Sequence, residues 1–161
     1  MLVVKKWIPV DKLADYRIAL KESGKTLVLT NGCFDLLHAG HIYALEQAAH
    51  YGDVLWVGIN SDRSVKYLKG AKRPIYPQEE RLYLLNALEC VQGVFIFDGS
   101  DLAQEMQLIK PDVYVKSGDY SLAKMNSKER VALETCNAKI VFTPFLPGKS
   151  TTNTLEILSR R

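Results

Sequence analysis

At 161 residues, 47% of them hydrophobic, the chain is long enough to bury a sizeable core and short enough to be read as one domain over residues 1–161. Its 21 Lys and Arg against 18 Asp and Glu leave a formal charge of +3, too small an excess to point to nucleic acid as a partner. Cys33, Cys90 and Cys136 lie far apart with no CxxC pair, which argues against a zinc site or a disulfide framework and for free thiols in a reducing compartment.

The N-terminal "MLVVKKWIPV" has no apolar run long enough for a signal peptide, and no window approaches the roughly 20 apolar residues of a membrane span. A cytoplasmic protein with no membrane partner is therefore expected. Val10 to Ser23 reads as a helix closed by Gly24, so residues 1–25 form a helical extension ahead of a core at 26–161. The first strand, Leu27 to Leu29, delivers Thr30, Asn31 and Gly32 to its carboxyl end. A helix begins near Ala39 or Gly40 and carries Ile42, Leu45, Ala48 and Ala49 at helical spacing. Val54 to Ile59 is the second strand. Between Lys66 and Pro77, Gly70, two prolines and the cluster Lys66, Lys69, Lys72 and Arg73 mark the segment expected to be mobile. Leu82, Leu85 and Leu88 give another helix, Val94 to Phe97 a strand, and Leu102, Met106 and Ile109 a further helix. Strands at Val113 to Val115 and Ile140 to Phe142 follow. Such alternation predicts an α/β protein with a parallel five-stranded sheet and helices on both faces, binding its ligand beyond the carboxyl ends of the strands.

The stretch "TNGCFDLLHAGH" places two of the three histidines, His38 and His41, at the first turn of that second helix. Backbone N–H groups there lack partners and the helix end carries about half a positive charge, so an anion is favoured. Two imidazoles aimed at the same point suit a phosphate whose charge grows during reaction. Gly40 lets a ligand approach the backbone. A metal-chelating pair would need a third ligand, and none is evident; Cys33 as nucleophile is the weaker use of these histidines. "PGKSTTN", Pro147 to Asn153, resembles the end of a Walker A loop, but Thr143 stands where its first glycine belongs. What remains is a second helix N-terminus suited to phosphate. In "VKSGDY", Val115 to Tyr120, Lys116 is within reach of phosphate, and Asp119 is an acceptor for a base, a ribose or metal-bound water.

Together, "TNGCFDLLHAGH", "NSDRSVKYLKGAKRPIYPQEER", "VKSGDY" and "GKSTTN" resemble the cytidylyltransferase-like nucleotidyltransferases from Thr26 to the C-terminus. Within them, "LKGAKRP", "VKSGDY" and "STTN" in that order look most like the adenylyltransferase domain that makes ADP-heptose. The resemblance implies a Rossmann-like three-layer α/β/α fold with the HxGH site. It implies that His38 and His41 bind the nucleotide phosphates and stabilise the transition state, and that Lys69 approaches those phosphates. Thr30, Asn31, Gly32 and Phe34 would line the nucleotide site, joined by Gly40, Lys116, Gly118 and Asp119, with Ser150, Thr151 and Thr152 meeting the phosphates from the last helix. Asp35 and Arg73 are expected to contact the acceptor. No protein-held metal is expected; Mg²⁺ would come bound to ATP, and a homodimer is suggested.

Two departures stand out: the family commonly has glycine where Ser117 stands and aspartate where Gln92 stands. The heptose enzyme is often fused to a sugar kinase, and this chain reads as a separately encoded transferase. The expected reaction is therefore AMP transfer from ATP to a heptose 1-phosphate. Cytidylyl transfer to glycerol 3-phosphate, adenylylation of FMN or a related cofactor precursor, and a non-catalytic nucleotide-binding module remain as alternatives. Nucleic-acid binding is disfavoured, since the only dense basic cluster sits beside the phosphate site.

Overall fold

Short β-branched runs between amphipathic helices demand a parallel sheet, and five such strands form it. In the computed structural model, which describes residues 5–118 and 121–144, they are β1 (Leu27–Gly32), β2 (Val54–Asn60), β3 (Gly93–Phe97), β4 (Val113–Ser117) and β5 (Lys139–Thr143). All pair in parallel, in the order β3-β2-β1-β4-β5. The helices are α1 (Leu13–Glu22), α2 (Ala39–Ala49), α3 (Asp62–Lys69), α4 (Gln78–Asn86), α5 (Ala103–Ile109) and α6 (Ser127–Thr135). This is a Rossmann-like α/β arrangement, as the alternation predicted.

β2 is buried along its whole length, as a strand covered on both faces must be. One face packs Leu27, Leu29, Trp56 and Phe95 against Leu13 of α1, Met106 and Ile109 of α5, and Leu133 of α6. The opposite face packs Val28, Leu55, Val57 and Val94 against Leu45 of α2 and Leu82 and Leu85 of α4. The N-terminal helix belongs to the first of these layers. Arg17, 8% exposed, donates to Asp112 at 2.8 Å and to the Lys110 carbonyl, tying α1 to the start of β4. The chain before it runs beside β3, where the Ile8 N–H donates to the Val94 carbonyl.

The strand order reverses between β1 and β4, because β2 and β3 extend the sheet on one side of β1, and β4 and β5 on the other. β1 stays paired with β2 as far as Gly32–Ile59, whereas its pairing with β4 covers Val28–Val113 and Leu29–Tyr114. The two strands part beyond that point, and the crevice so formed is where ligands bind in open sheets of this kind.

Gln92, one of the two departures, lies away from the crevice. Its backbone N–H donates to the Leu55 carbonyl and its Oε1 accepts from the Leu55 N–H, both at 2.9 Å, so it locks the entry to β3 onto β2. The three cysteines are free thiols. Among the described residues, no helix is long and apolar enough to cross a membrane.

Candidate active site

The two histidines form the N-terminal cap of α2. His38 is the N-cap residue, extended at φ −138° and ψ 169°, and its Nδ1 accepts the Gly40 N–H at 3.1 Å. His41, at the third helical position, accepts the His38 N–H on its own Nδ1 at 3.4 Å. This is a reciprocal capping box built from imidazoles instead of a hydroxyl and a carboxylate, and it explains the three-residue spacing. With Nδ1 accepting in both rings, Nε2 is left as the ring donor in each, as assigned from these hydrogen bonds. The rings stack at 3.8 Å between centroids. Burial and the charge of His38 push the His41 pKa down to about 4, while Asp35 pulls the other way. His41 is therefore a neutral Nε2–H donor at physiological pH.

The same shift makes stability pH-dependent. Between about 4 and the ordinary 6.5, the unfolded chain binds a proton that the folded chain does not, so acid favours unfolding in that window. His41's share of the stability is complete above pH 6.5 and is lost as pH falls toward 4. It amounts to about 2 kcal/mol once partial solvent contact is allowed for. Urea unfolding of the wild type and His41→Asn at pH 7.5 and 4.5 checks this: the gap between the proteins narrows at the lower pH.

The loop from β1 to α2 carries its own constraint. Phe34 and Leu36 take left-handed backbone angles, φ 48° and 51°, unusual for bulky residues, and the Phe34 side chain is buried in the core on this face of the sheet. The Phe34 ring meets His41 edge-on at 5.4 Å. A Cβ on Gly32 would come within 3.1 Å of that ring, so glycine is what lets Phe34 fold back.

Asp35 is 2% exposed, and its carboxylate accepts from Arg73 Nε at 2.5 Å and from the Ile75 and Tyr76 N–H groups. Burial would raise its pKa, but the backbone donors of Tyr76 and Ile75 and the Arg73 guanidinium hold it below the usual carboxylate value. The basic segment expected to be mobile therefore differs from that expectation in two ways. Lys66 to Lys69 complete the last turns of α3, and residues 73–76 are docked on Asp35.

At the crevice, Tyr114 Oη and Lys116 Nζ both donate to Asn31 Oδ1, at 2.6 and 3.1 Å. The Asn31 amide oxygen is thereby occupied, leaving its NH₂ as the donor for a ligand. Burial lowers the Lys116 pKa, and the charge of Glu129 opposes that shift. Ser117, the other departure, shares a 2.7 Å hydrogen bond with Thr143.

These groups line one cavity of about 810 Å³. Of the residues singled out in the sequence, it brings together Thr30, Asn31, Gly32, Phe34, Asp35, His38, Gly40, His41, Lys69, Arg73 and Lys116. Gly118 follows β4 with φ 117° and donates its N–H to the Thr143 carbonyl. Asp119, Ser150, Thr151 and Thr152 lie outside the described residues. Asn60, Lys124, Asn126 and Glu129 also line the cavity and were not anticipated. Neither was Arg81, fully buried beneath it. Arg81 Nη1 donates to the Cys33 carbonyl at 2.6 Å, Nη2 to Asp62 at 2.8 Å and Nε to the Tyr76 carbonyl at 3.1 Å. In the sequence it looks like any charged residue near the start of an exposed helix; only its position in the quoted "PQEER" run hinted at more.

The family model described as cytidylyltransferase-like matches residues 29–156. The bifunctional protein HldE of Geotalea uraniireducens is 46% identical over 147 residues, which cover 91% of this chain and 30% of that protein. The HldE of Aliarcobacter butzleri is 44% identical over 153 residues, with 95% and 30% covered. The chain thus spans under a third of the length of these curated relatives. It is also similar to the crystal structure of a lipopolysaccharide core biosynthesis protein from Thermoplasma volcanium, with a TM-score of 0.62 and 27% identity over 76% of this chain and 98% of that one. With its matched region running from the first strand through the whole of the described crevice, the chain belongs to the cytidylyltransferase-like family.

Proposed function

We propose that this chain moves AMP from ATP to the phosphate of a sugar 1-phosphate, heptose 1-phosphate being the acceptor that the sequence resemblance favours. A phosphate oxygen of the acceptor attacks the α-phosphorus in line; a new P–O bond forms as the bond to the β-phosphate oxygen breaks, and pyrophosphate leaves. Nothing covalent with the protein is needed, so the protein's part is to position the substrates and stabilise charge.

The observation that carries the reading is the imidazole capping box. It holds His38 and His41 at the first turn of α2 with their Nδ1 atoms engaged by backbone, so that Nε2 of each ring is left for a ligand in the cavity that both histidines line, beside a helix N-terminus. Lys69, exposed at the cavity rim, adds positive charge where pyrophosphate would depart. Arg73, held by Asp35, would face the acceptor. Mg²⁺ enters this proposal as part of the ATP complex. A homodimer and a cytoplasmic location belong to the same proposal.

The test is Mg²⁺-dependent pyrophosphate release from ATP, CTP and GTP, each paired with heptose 1-phosphate, glycerol 3-phosphate or FMN. Turnover confined to ATP with heptose 1-phosphate is expected. Activity with another pair would replace the substrates, and silence across the panel would overturn the proposal.

A further inference from the structure

The cavity is lined from both faces of the sheet, and its two sides differ in charge. From the α2 side come the histidine cap and Lys69, which attract phosphate. The α6 side contributes Glu129, 4% exposed and with no use in phosphate binding. Among the described residues, the one hydrogen-bond donor to its carboxylate is the Leu102 N–H, at 3.0 Å on Oε1. No described residue donates to its second oxygen, Oε2, and Glu129 is one of the residues that line the cavity.

Capping one backbone N–H requires only a neutral oxygen; a carboxylate kept this deep needs a further reason. An ionised carboxylate accepts hydrogen bonds and donates none, and it repels phosphate. The part of a ligand lying against Glu129 must therefore bring hydrogen-bond donors. In a nucleotidyl transfer to a sugar phosphate, both substrates carry such donors in their sugar hydroxyls. Asn126, exposed on the same wall, adds an amide NH₂, its Oδ1 being engaged by the Lys128 and Glu129 N–H groups as the cap of α6, and Lys116 on β4 provides the compensating charge.

From this we infer that Glu129 is the anchor of a hydroxyl-binding subsite on the α6 side of the cavity, taking a hydrogen bond from a sugar ring of one of the two substrates. The inference rests on the nucleotidyl-transfer reading above. It adds a specificity determinant, since a hydroxyl facing a buried carboxylate is hard to omit: the unmatched acceptor then stays desolvated.

Glu129→Gln keeps an oxygen for the Leu102 N–H and puts an NH₂ group where the cavity-facing acceptor stood, so folding is preserved while the hydroxyl's acceptor is lost. Wild type and variant are assayed with ATP, 2′-deoxy-ATP and 3′-deoxy-ATP against intact heptose 1-phosphate, then with ATP against ring-deoxy heptose 1-phosphates. For the wild type, one analogue is expected to lose about 10- to 100-fold in kcat/KM, the range for a hydrogen bond to a charged group. In the variant that same analogue should perform within about threefold of its parent substrate. The arm in which discrimination collapses names the sugar, ribose or acceptor. If both proteins discriminate equally, or the wild type discriminates in neither arm, the subsite is refuted and Glu129 only caps the loop at Leu102. Absence of turnover by the wild type with intact substrates would refute the transfer reading instead. In that case calorimetric binding of ATP and its two deoxy analogues to both proteins decides the subsite by the same comparison.

Discussion

His41→Ala is expected to lower kcat by about 10²- to 10³-fold while changing the KM for ATP by less than about threefold. The magnitude is that of losing one preorganised donor to a developing charge. The split between the two constants follows from where the donor acts: an interaction that strengthens only as charge builds on the transferring group is read in kcat. A neutral imidazole with Nδ1 committed to the His38 N–H has one remaining function, donation from Nε2. His38→Ala removes the matching donor and also the acceptor for the Gly40 N–H, an N-cap loss of about 1 kcal/mol. It should therefore cost both turnover and stability. Steady-state kinetics beside denaturant unfolding separates the two effects. An His41→Ala protein turning over within threefold of wild type would remove the histidine from its proposed role.

Arg81→Met is expected to destabilise the fold by about 3–5 kcal/mol, the range for removing one partner of a buried charged network. Methionine fills much of the volume but supplies none of the three donated hydrogen bonds. The carbonyls of Cys33 and Tyr76 would lose their donor, and Asp62 would lose its ion pair. Arg81→Lys is expected to recover less than half, because a single ammonium cannot reach three acceptors fanned around a planar guanidinium. The loss should extend to turnover: Arg81 joins the loop after β1, the start of α3 and the segment before α4, the three pieces that position Phe34, Lys69 and Arg73. Urea denaturation measures the first effect. A loss below 1 kcal/mol would show that water replaces the guanidinium and that the network is not closed.

What could be read from the chain and what could not divides along sequence distance. The strands at Leu27, Val54, Val94 and Val113 were visible because a strand largely buried on both faces leaves an unbroken apolar run, a local property, and the half-buried edge strand at Ile140 carries such a run as well. The HxGH cap was visible for a related reason: His38, Gly40 and His41 make their hydrogen bonds to one another within a single helical turn. Long-range pairing stayed hidden. Asp35 was expected at the acceptor, and the sequence did not show that its carboxylate also accepts from Arg73, Ile75 and Tyr76, about forty residues on, in the segment whose glycine and prolines suggested motion. Gln92 was recognised as a departure without a role, which became clear only against Leu55 of the neighbouring strand.

The sequence by itself therefore determined the alternation of strand and helix, the parallel sheet it entails and the placing of both histidines at the head of α2, since each arises from contacts between near neighbours. Only the tertiary structure decided which charged side chains are interior. Arg81 and Glu129 look like surface residues of their helices in the sequence, and their burial depends on where α4 and α6 dock against the sheet. Packing of whole elements also set the reversal of strand order between β1 and β4, which opens the crevice and brings Asn31, Tyr114 and Lys116 into one hydrogen-bonded group. Apolar periodicity specifies which face of each element is buried; the choice of neighbour is made by the competition among all elements for that same burial.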